Sequence, residues 1–161
     1  MFQSIRRTLA HVAIVAAVLV PLAACNFEFP LTATPTRTIE PKLLGEWTST
    51  NNDETVTMKV VKLDAHTYIV SVDDDIYRAF HSDFEHTPFL SVQDLGTKNR
   101  LYAYANWSLS ADGNAMTVRF VNHDVVAASL PNRATVQRTI TAHLKDDALF
   151  GKATVFTRKV E

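Results

Sequence analysis

The chain of 161 residues has a single cysteine, Cys25, and only four glycines. One cysteine cannot form an internal disulfide, so the folded part must rest on its hydrophobic core. Gly45, Gly96, Gly113 and Gly151 each fit a strand or a turn, and no glycine-rich phosphate-binding loop is left over. A Gly-x-Ser-x-Gly elbow and a His-Glu-x-x-His helix are also missing. The expectation is therefore a non-enzymatic protein that needs no cofactor and holds no metal. Charge of either sign is scarce in excess: 16 Lys and Arg stand against 17 Asp and Glu. That balance lacks the basic footprint of a nucleic-acid binder. Nor is there a long hydrophobic run at the N-terminus, where the uninterrupted apolar core, Val12 to Val20, spans nine residues. A membrane-spanning helix needs about 20.

What the N-terminus does contain is an ordered set of parts. Arg6 and Arg7 precede the apolar stretch, and the small residues Ala23 and Ala24 end it immediately before Cys25. A positive start, a short apolar middle and a small-residue end match a secretory signal peptide. Leu22-Ala23-Ala24-Cys25 resembles the lipobox of bacterial lipoproteins. The resemblance implies that signal peptidase II recognises Leu22, Ala23 and Ala24 and cuts after residue 24. It also implies that Cys25 carries an S-diacylglycerol and an N-acyl chain. A buried free cysteine in a core helix would leave the arginines and the placement unexplained. One acyl chain binds a bilayer only marginally, whereas two or three make attachment effectively permanent. Loss of residues 1–24 removes two positive charges and no negative ones, leaving fourteen against seventeen, a net of −3. Residue 26 is Asn rather than Asp. In enteric bacteria the family rule then implies the outer membrane, facing the periplasm or the surface.

After residues 1–24, the sequence divides into a tether, 25–41, and one domain, 42–161. The tether carries Pro30, Pro35 and Pro41 with threonines at 32, 34, 36 and 38. Proline fixes φ and lacks a donor, so the segment reads as an extended spacer of about 3 Å per residue. Phe27 and Phe29 either dip into the lipid interface or stay poorly ordered. In the domain the apolar period is two. Val56, Met58 and Val60 alternate with polar residues, as do Val70 and Val72 after Tyr68. Ile76–Asp83, Pro88–Asp94 and Leu101–Leu109 read as further strands. The turn Ala111-Asp112-Gly113-Asn114 joins the last of these to Met116–Val121, a strong hairpin signal. Ala103, Ala105, Trp107 and Leu109 are expected to face inward, with Tyr102 and Tyr104 covering the outside. Val136, Ile140 and Leu144 recur every fourth residue behind Asn132, a suitable cap. This predicts one helix, followed by a last strand over Leu149–Lys159. The fold class is mainly β: an antiparallel up-and-down meander of about eight strands, barrel-like, with a helix before the last strand.

Gly45-Glu46-Trp47 opens the first strand of the domain, and Arg158 lies near its end. Gly-x-Trp at that place, followed by a meander and a late helix, is similar to the lipocalin and fatty-acid-binding (calycin) superfamily. The resemblance implies a barrel-closing role for Gly45, Trp47 and Arg158, with the arginine stacked over the indole. The second lipocalin motif, with its Thr-Asp-Tyr turn, is not evident. The helix pair of fatty-acid-binding proteins is also lacking, and shared fold does not carry function.

His81, Asp83, Glu85 and His86 form the densest set of potential ligands. Same-face residues on a flat strand lie about 6.5 Å apart, too far to share a zinc ion at about 2 Å without a bulge. A solvated strand end is the preferred reading. Asp73-Asp74-Asp75 and Asn122-His123-Asp124 suit turns. Tyr102, Tyr104 and Trp107 either line a cavity or pack a strand, and packing is preferred. The expected function is a lipid-anchored envelope protein that binds a small apolar ligand or lipid. The alternative is a protein-interaction module that assists an envelope complex or inhibits an enzyme. The first needs a cavity of about 300 Å³ or more, and the second a filled interior with an exposed apolar or aromatic patch on the outside.

Overall fold

The computed structural model describes residues 26–51 and 54–159. Leu22, Ala23, Ala24 and Cys25 lie outside the described residues. Eight strands follow one another: β1 (Gly45–Asn51), β2 (Glu54–Lys62), β3 (Thr67–Val72), β4 (Asp75–His81), β5 (Phe89–Asp94), β6 (Tyr102–Leu109), β7 (Ala115–Phe120) and β8 (Thr154–Arg158). Each pairs antiparallel with the next, and β8 pairs with β1 to close the barrel. One helix, α1 (Arg133–His143), precedes β8. This is the mainly β meander with a late helix that the alternating pattern predicts.

The period-two alternation sorts side chains into two cores. Inside the barrel, Trp47, Met58, Val60, Val72, Tyr77, Trp107, Met116 and Phe156 pack together. On the outside of one wall, Phe80 of β4, Phe89 of β5 and Tyr102 and Tyr104 of β6 form a second cluster. Asn132 caps α1 by accepting a hydrogen bond from the Thr135 N–H, and the helix buries Val136 and Ile140 in that outer cluster. Tyr102 and Tyr104 therefore lie on the outer face, yet they are buried rather than solvated.

Two expectations are corrected here. The last strand begins at Thr154, not Leu149, because Asp147–Leu149 forms a 3-10 turn capped by Asp146 and buries Leu149. The larger correction concerns the tether. Residues 26–40 are not a spacer: Phe27 and Leu31 are 1% and 0% exposed within the outer cluster. Phe27 stacks on Tyr104 with ring centroids 4.3 Å apart, and its backbone forms an antiparallel bridge to Tyr102. Burying a Phe or Leu side chain stabilises by roughly 1.5–3 kcal/mol. Two such anchors, with the backbone hydrogen bonds along the segment, oppose the cost of ordering a threonine-rich stretch whose prolines already limit its freedom.

The segment ends in a 3-10 turn, Pro41–Leu43, that plugs one end of the barrel with Leu43. Trp47 is fully buried beside it and donates its indole N–H to the Leu43 carbonyl at 3.0 Å. The seam between β8 and β1 pairs only Trp47 with Arg158 and Thr48 with Thr157, so side chains reinforce it. The Arg158 guanidinium lies 4.2 Å from the centre of the Trp47 ring. It also donates to the carbonyls of Leu44 (2.9 Å), Lys42 (2.5 Å) and Gly113 (3.3 Å). Gly45 holds φ at +123°, and a Cβ there would sit 3.0 Å from Arg158 Nη1. A Gly45→Ala substitution combines backbone strain with displacement of that guanidinium. It should lower stability by about 2 kcal/mol in denaturant titrations; an unchanged midpoint would contradict this view of the seam.

Candidate functional site

At the plugged end, the strap of residues 26–40 crosses the barrel and meets the loop between β4 and β5. The Thr36 N–H donates to the His81 carbonyl at 2.8 Å, and the Asp83 N–H donates to Thr36 Oγ1 at 2.9 Å. Arg37 Nε lies 2.6 Å from Asp83 Oδ2, while its guanidinium stands 5.4 Å over the Trp107 ring. Further along, the Leu31 N–H donates to Ser91 Oγ at 2.9 Å. Ser91 Oγ is 2.7 Å from Ser82 Oγ, which accepts from Thr32 Oγ1 at 2.8 Å. Ser82 and Ser91 are fully buried, and this hydroxyl chain satisfies both.

His81 does not share a solvated face with Asp83 and Glu85. β4 ends at His81, whose side chain is 0% exposed and points into the barrel. Its Nε2 lies 2.7 Å from Tyr68 Oη, which accepts the Glu40 N–H at 2.5 Å. The other ring nitrogen, Nδ1, is buried with no hydrogen-bond partner, so the Tyr68 contact is what ties the imidazole in place. Burial, and secondarily the Arg37 charge, push the His81 pKa down to about 4, against the smaller opposing effects of Asp83 and Glu40. Burial likewise raises Tyr68 above its ordinary value. Among the described residues, no three His, Cys, Asp or Glu side chains converge as a metal site.

Beyond Asp83 the chain forms a two-residue hairpin. Phe84 and Thr87 exchange backbone hydrogen bonds of 3.0 and 2.9 Å. The two residues between them, Glu85 and His86, both adopt left-handed conformations, with φ of +49° and +63°. Such turns usually carry Asn-Gly because L side chains strain there. Both residues are exposed, so the strain is not repaid by burial of their side chains. It is held by the strap contacts at Asp83 and by the β4–β5 pairing.

The barrel interior offers little room. Its cavity measures about 80 Å³ and runs between Leu43 and the far-end residues Phe120 and Thr154. The walls are apolar except for Tyr68, Tyr77 and Thr154. Bulky Met58, Tyr68, Tyr77, Met116 and Phe156 all project into its lining. The structure thus brings Gly45, Trp47 and Arg158 together at the plugged end, whereas Cys25 lies outside the described residues. Trp107 joins the interior core, and Tyr102 and Tyr104 join the outer one. Asp73 Oδ1 accepts the Thr57 N–H of the neighbouring strand β2, whereas Asn122 serves its own turn by accepting the Asp124 N–H. The left-handed pair at Glu85 and His86 carries no signal in the sequence, since neither residue is Gly or Asn.

The chain matches no family model, no curated protein and no solved structure. The fold itself defines the class: an eight-stranded antiparallel closed barrel, compatible with a calycin-like fold.

His81 has a measurable consequence. Above pH 6.5 the ring is neutral whether the chain is folded or unfolded, and its burial has no proton to oppose. Between pH 6.5 and about 4 the unfolded chain binds the proton and the folded one does not, so stability falls with pH. The loss approaches about 3 kcal/mol at 1.36 kcal/mol per pKa unit. Urea titrations at pH 7 and pH 4.5 should show this loss in the native protein and a much smaller one in His81→Asn. An equal loss in both would assign the acid sensitivity to other groups.

Proposed function

We propose that the chain is a lipid-anchored envelope protein without catalytic activity, and that its barrel is a packed scaffold presenting the Phe84–Thr87 hairpin to a protein partner. The anchor reading rests on Leu22-Ala23-Ala24-Cys25, with lipid on Cys25. The observation that carries the interaction reading is the strained, exposed Glu85-His86 pair on a braced loop. Left-handed residues cost roughly 1–2 kcal/mol each outside glycine, and such strain collects where side chains must be aimed. The tip displays one carboxylate and one imidazole, which suit a recess rich in hydrogen-bond donors or positive charge on an enzyme or an assembly protein.

A second reading keeps the barrel as a carrier of a small apolar molecule. It is favoured by the apolar cavity walls and by Met58 and Met116, whose flexible side chains could yield to a guest. The cavity of about 80 Å³ is well short of the roughly 300 Å³ of a typical ligand site, so the interaction reading stands first.

The two readings separate on one double substitution, Glu85→Asn with His86→Gly. It places an Asn-Gly turn where the backbone already has the matching geometry. Stability should rise by about 1–2 kcal/mol, read from denaturant midpoints. A photocrosslinker at Thr87 should give a discrete protein adduct in cells, and the double substitution should abolish it. An adduct that survives the exchange would overturn the role of the tip. Without any adduct, a bound apolar mass in native mass spectrometry would favour the carrier.

A further inference from the structure

We infer that the barrel lies directly on the bilayer in one orientation, with the β5–β6 turn against the lipid headgroups and the Phe84–Thr87 tip pointing away. This rests on the lipid-anchored reading and adds the geometry of attachment. An extended spacer of residues 25–41 would let the domain tumble some tens of Å from the surface. The structure removes that freedom, because the chain is already clamped at Asn26. The Asn26 and Phe27 N–H groups both donate to the Tyr102 carbonyl at 3.0 Å, and the Tyr102 N–H returns a bond to the Phe27 carbonyl at 2.7 Å. The Asn26 side chain also lies 3.5 Å from the His123 ring. Consecutive Cα atoms are about 3.8 Å apart, so acyl chains on Cys25 would enter the membrane within a residue or two of the barrel wall.

Tyr102 begins β6, and the turn that leads into it, residues 95–101, projects from the same end of the barrel. That turn carries Lys98 and Arg100, both exposed, and the Arg100 backbone is held left-handed with φ of +48°. The neighbouring β3–β4 turn at the same end carries Asp73, Asp74 and Asp75, all exposed, and the Leu95 N–H donates to the Ile76 carbonyl there, so this end presents both signs of charge. Asp94 Oδ1 is occupied by the Gly96 and Thr97 N–H groups, and Glu28 lies on the strap beyond Phe27. The orientation therefore rests on the clamp at Asn26, with Lys98 and Arg100 as the groups beside it that can meet lipid phosphates. The loop between β4 and β5 lies at the opposite end of β5, six residues away, or about 20 Å along the strand. Anchor and recognition tip are thereby held apart by the barrel rather than by a flexible linker.

The test uses the full chain, processed in a bacterial host and reconstituted in phosphatidylcholine–phosphatidylglycerol vesicles that contain a headgroup spin-labelled lipid. Once Cys25 is acylated, Thr97→Cys or Asp64→Cys, the latter in the β2–β3 turn at the plugged end, supplies the single thiol available for a fluorophore. Quenching should be several-fold stronger at position 97 than at position 64. A Gly/Ser linker longer than the barrel, inserted between Cys25 and Asn26, leaves the docked strap intact and should erase the difference. Equal quenching at both positions in the uninserted protein, with acyl mass present on Cys25, would overturn the orientation alone. Absence of acyl mass on Cys25 would overturn the lipid anchor and the orientation with it.

Discussion

Phe80, Phe89, Tyr102 and Tyr104 face outward from one wall of the barrel, and an aqueous surface does not tolerate four large rings side by side. Something must cover them, and the chain supplies the cover twice. Helix α1 brings Val136 and Ile140 from the C-terminal side, and the strap brings Phe27 and Leu31 from the N-terminal side. Once the strap is fixed there, its continuation is constrained. It reaches the plugged end, where Glu40 meets Tyr68, and Leu43 enters the barrel under Trp47. The outer cluster thus determines where the N-terminal segment runs, and that segment in turn closes the barrel and braces the loop after β4.

The plugged end shows how polar groups are accommodated under these constraints. Arg158 spends its donors on carbonyls of the incoming segment and of the β6–β7 turn. It therefore ties three stretches of backbone across a seam of two residue pairs. His81 sits inside the barrel as a neutral ring, with Nε2 hydrogen-bonded to Tyr68 Oη and Nδ1 left without a partner. An alternation that places Tyr77, Ala79 and His81 on the inner face leaves no other position for that imidazole. The same inward set explains the small cavity: Met58, Met116 and Phe156 all line it.

Much of this architecture is legible in the residues. Val56, Met58 and Val60 alternate, Ala111-Asp112-Gly113-Asn114 turns, and Val136, Ile140 and Leu144 share a helical face. Each of these local signals agrees with the tertiary arrangement, so strand order and the late helix follow. The pairing of Trp47 with Arg158 is not readable from periodicity, because the two residues are distant in sequence; only the likeness of Gly45-x-Trp47 to the calycin pattern suggests it. The strap is misread for a definable reason. Its prolines and threonines have the composition of a linker, and composition outweighs the period-two series Phe27, Phe29 and Leu31, which is the signature of a segment laid on an apolar wall. The recognition tip is invisible, since Glu85-His86 looks like any solvated pair and its backbone is set by the β4–β5 register. Thr36 and Arg37 are silent for a similar reason: their partners lie more than forty residues away, at Asp83.

The central claim is that residues 26–40 are part of the folded domain. Hydrogen exchange of individual backbone amides tests it most directly. The N–H groups of Phe27, Leu31, Thr36 and Ile39 are bonded to Tyr102, Ser91, His81 and Ala65 respectively. They should exchange as slowly as the amides of β5 and β6, opening with the barrel rather than ahead of it. Exchange of these four at the rate of an unprotected peptide, while β5 and β6 remain protected, would return the segment to a free tether and contradict the account.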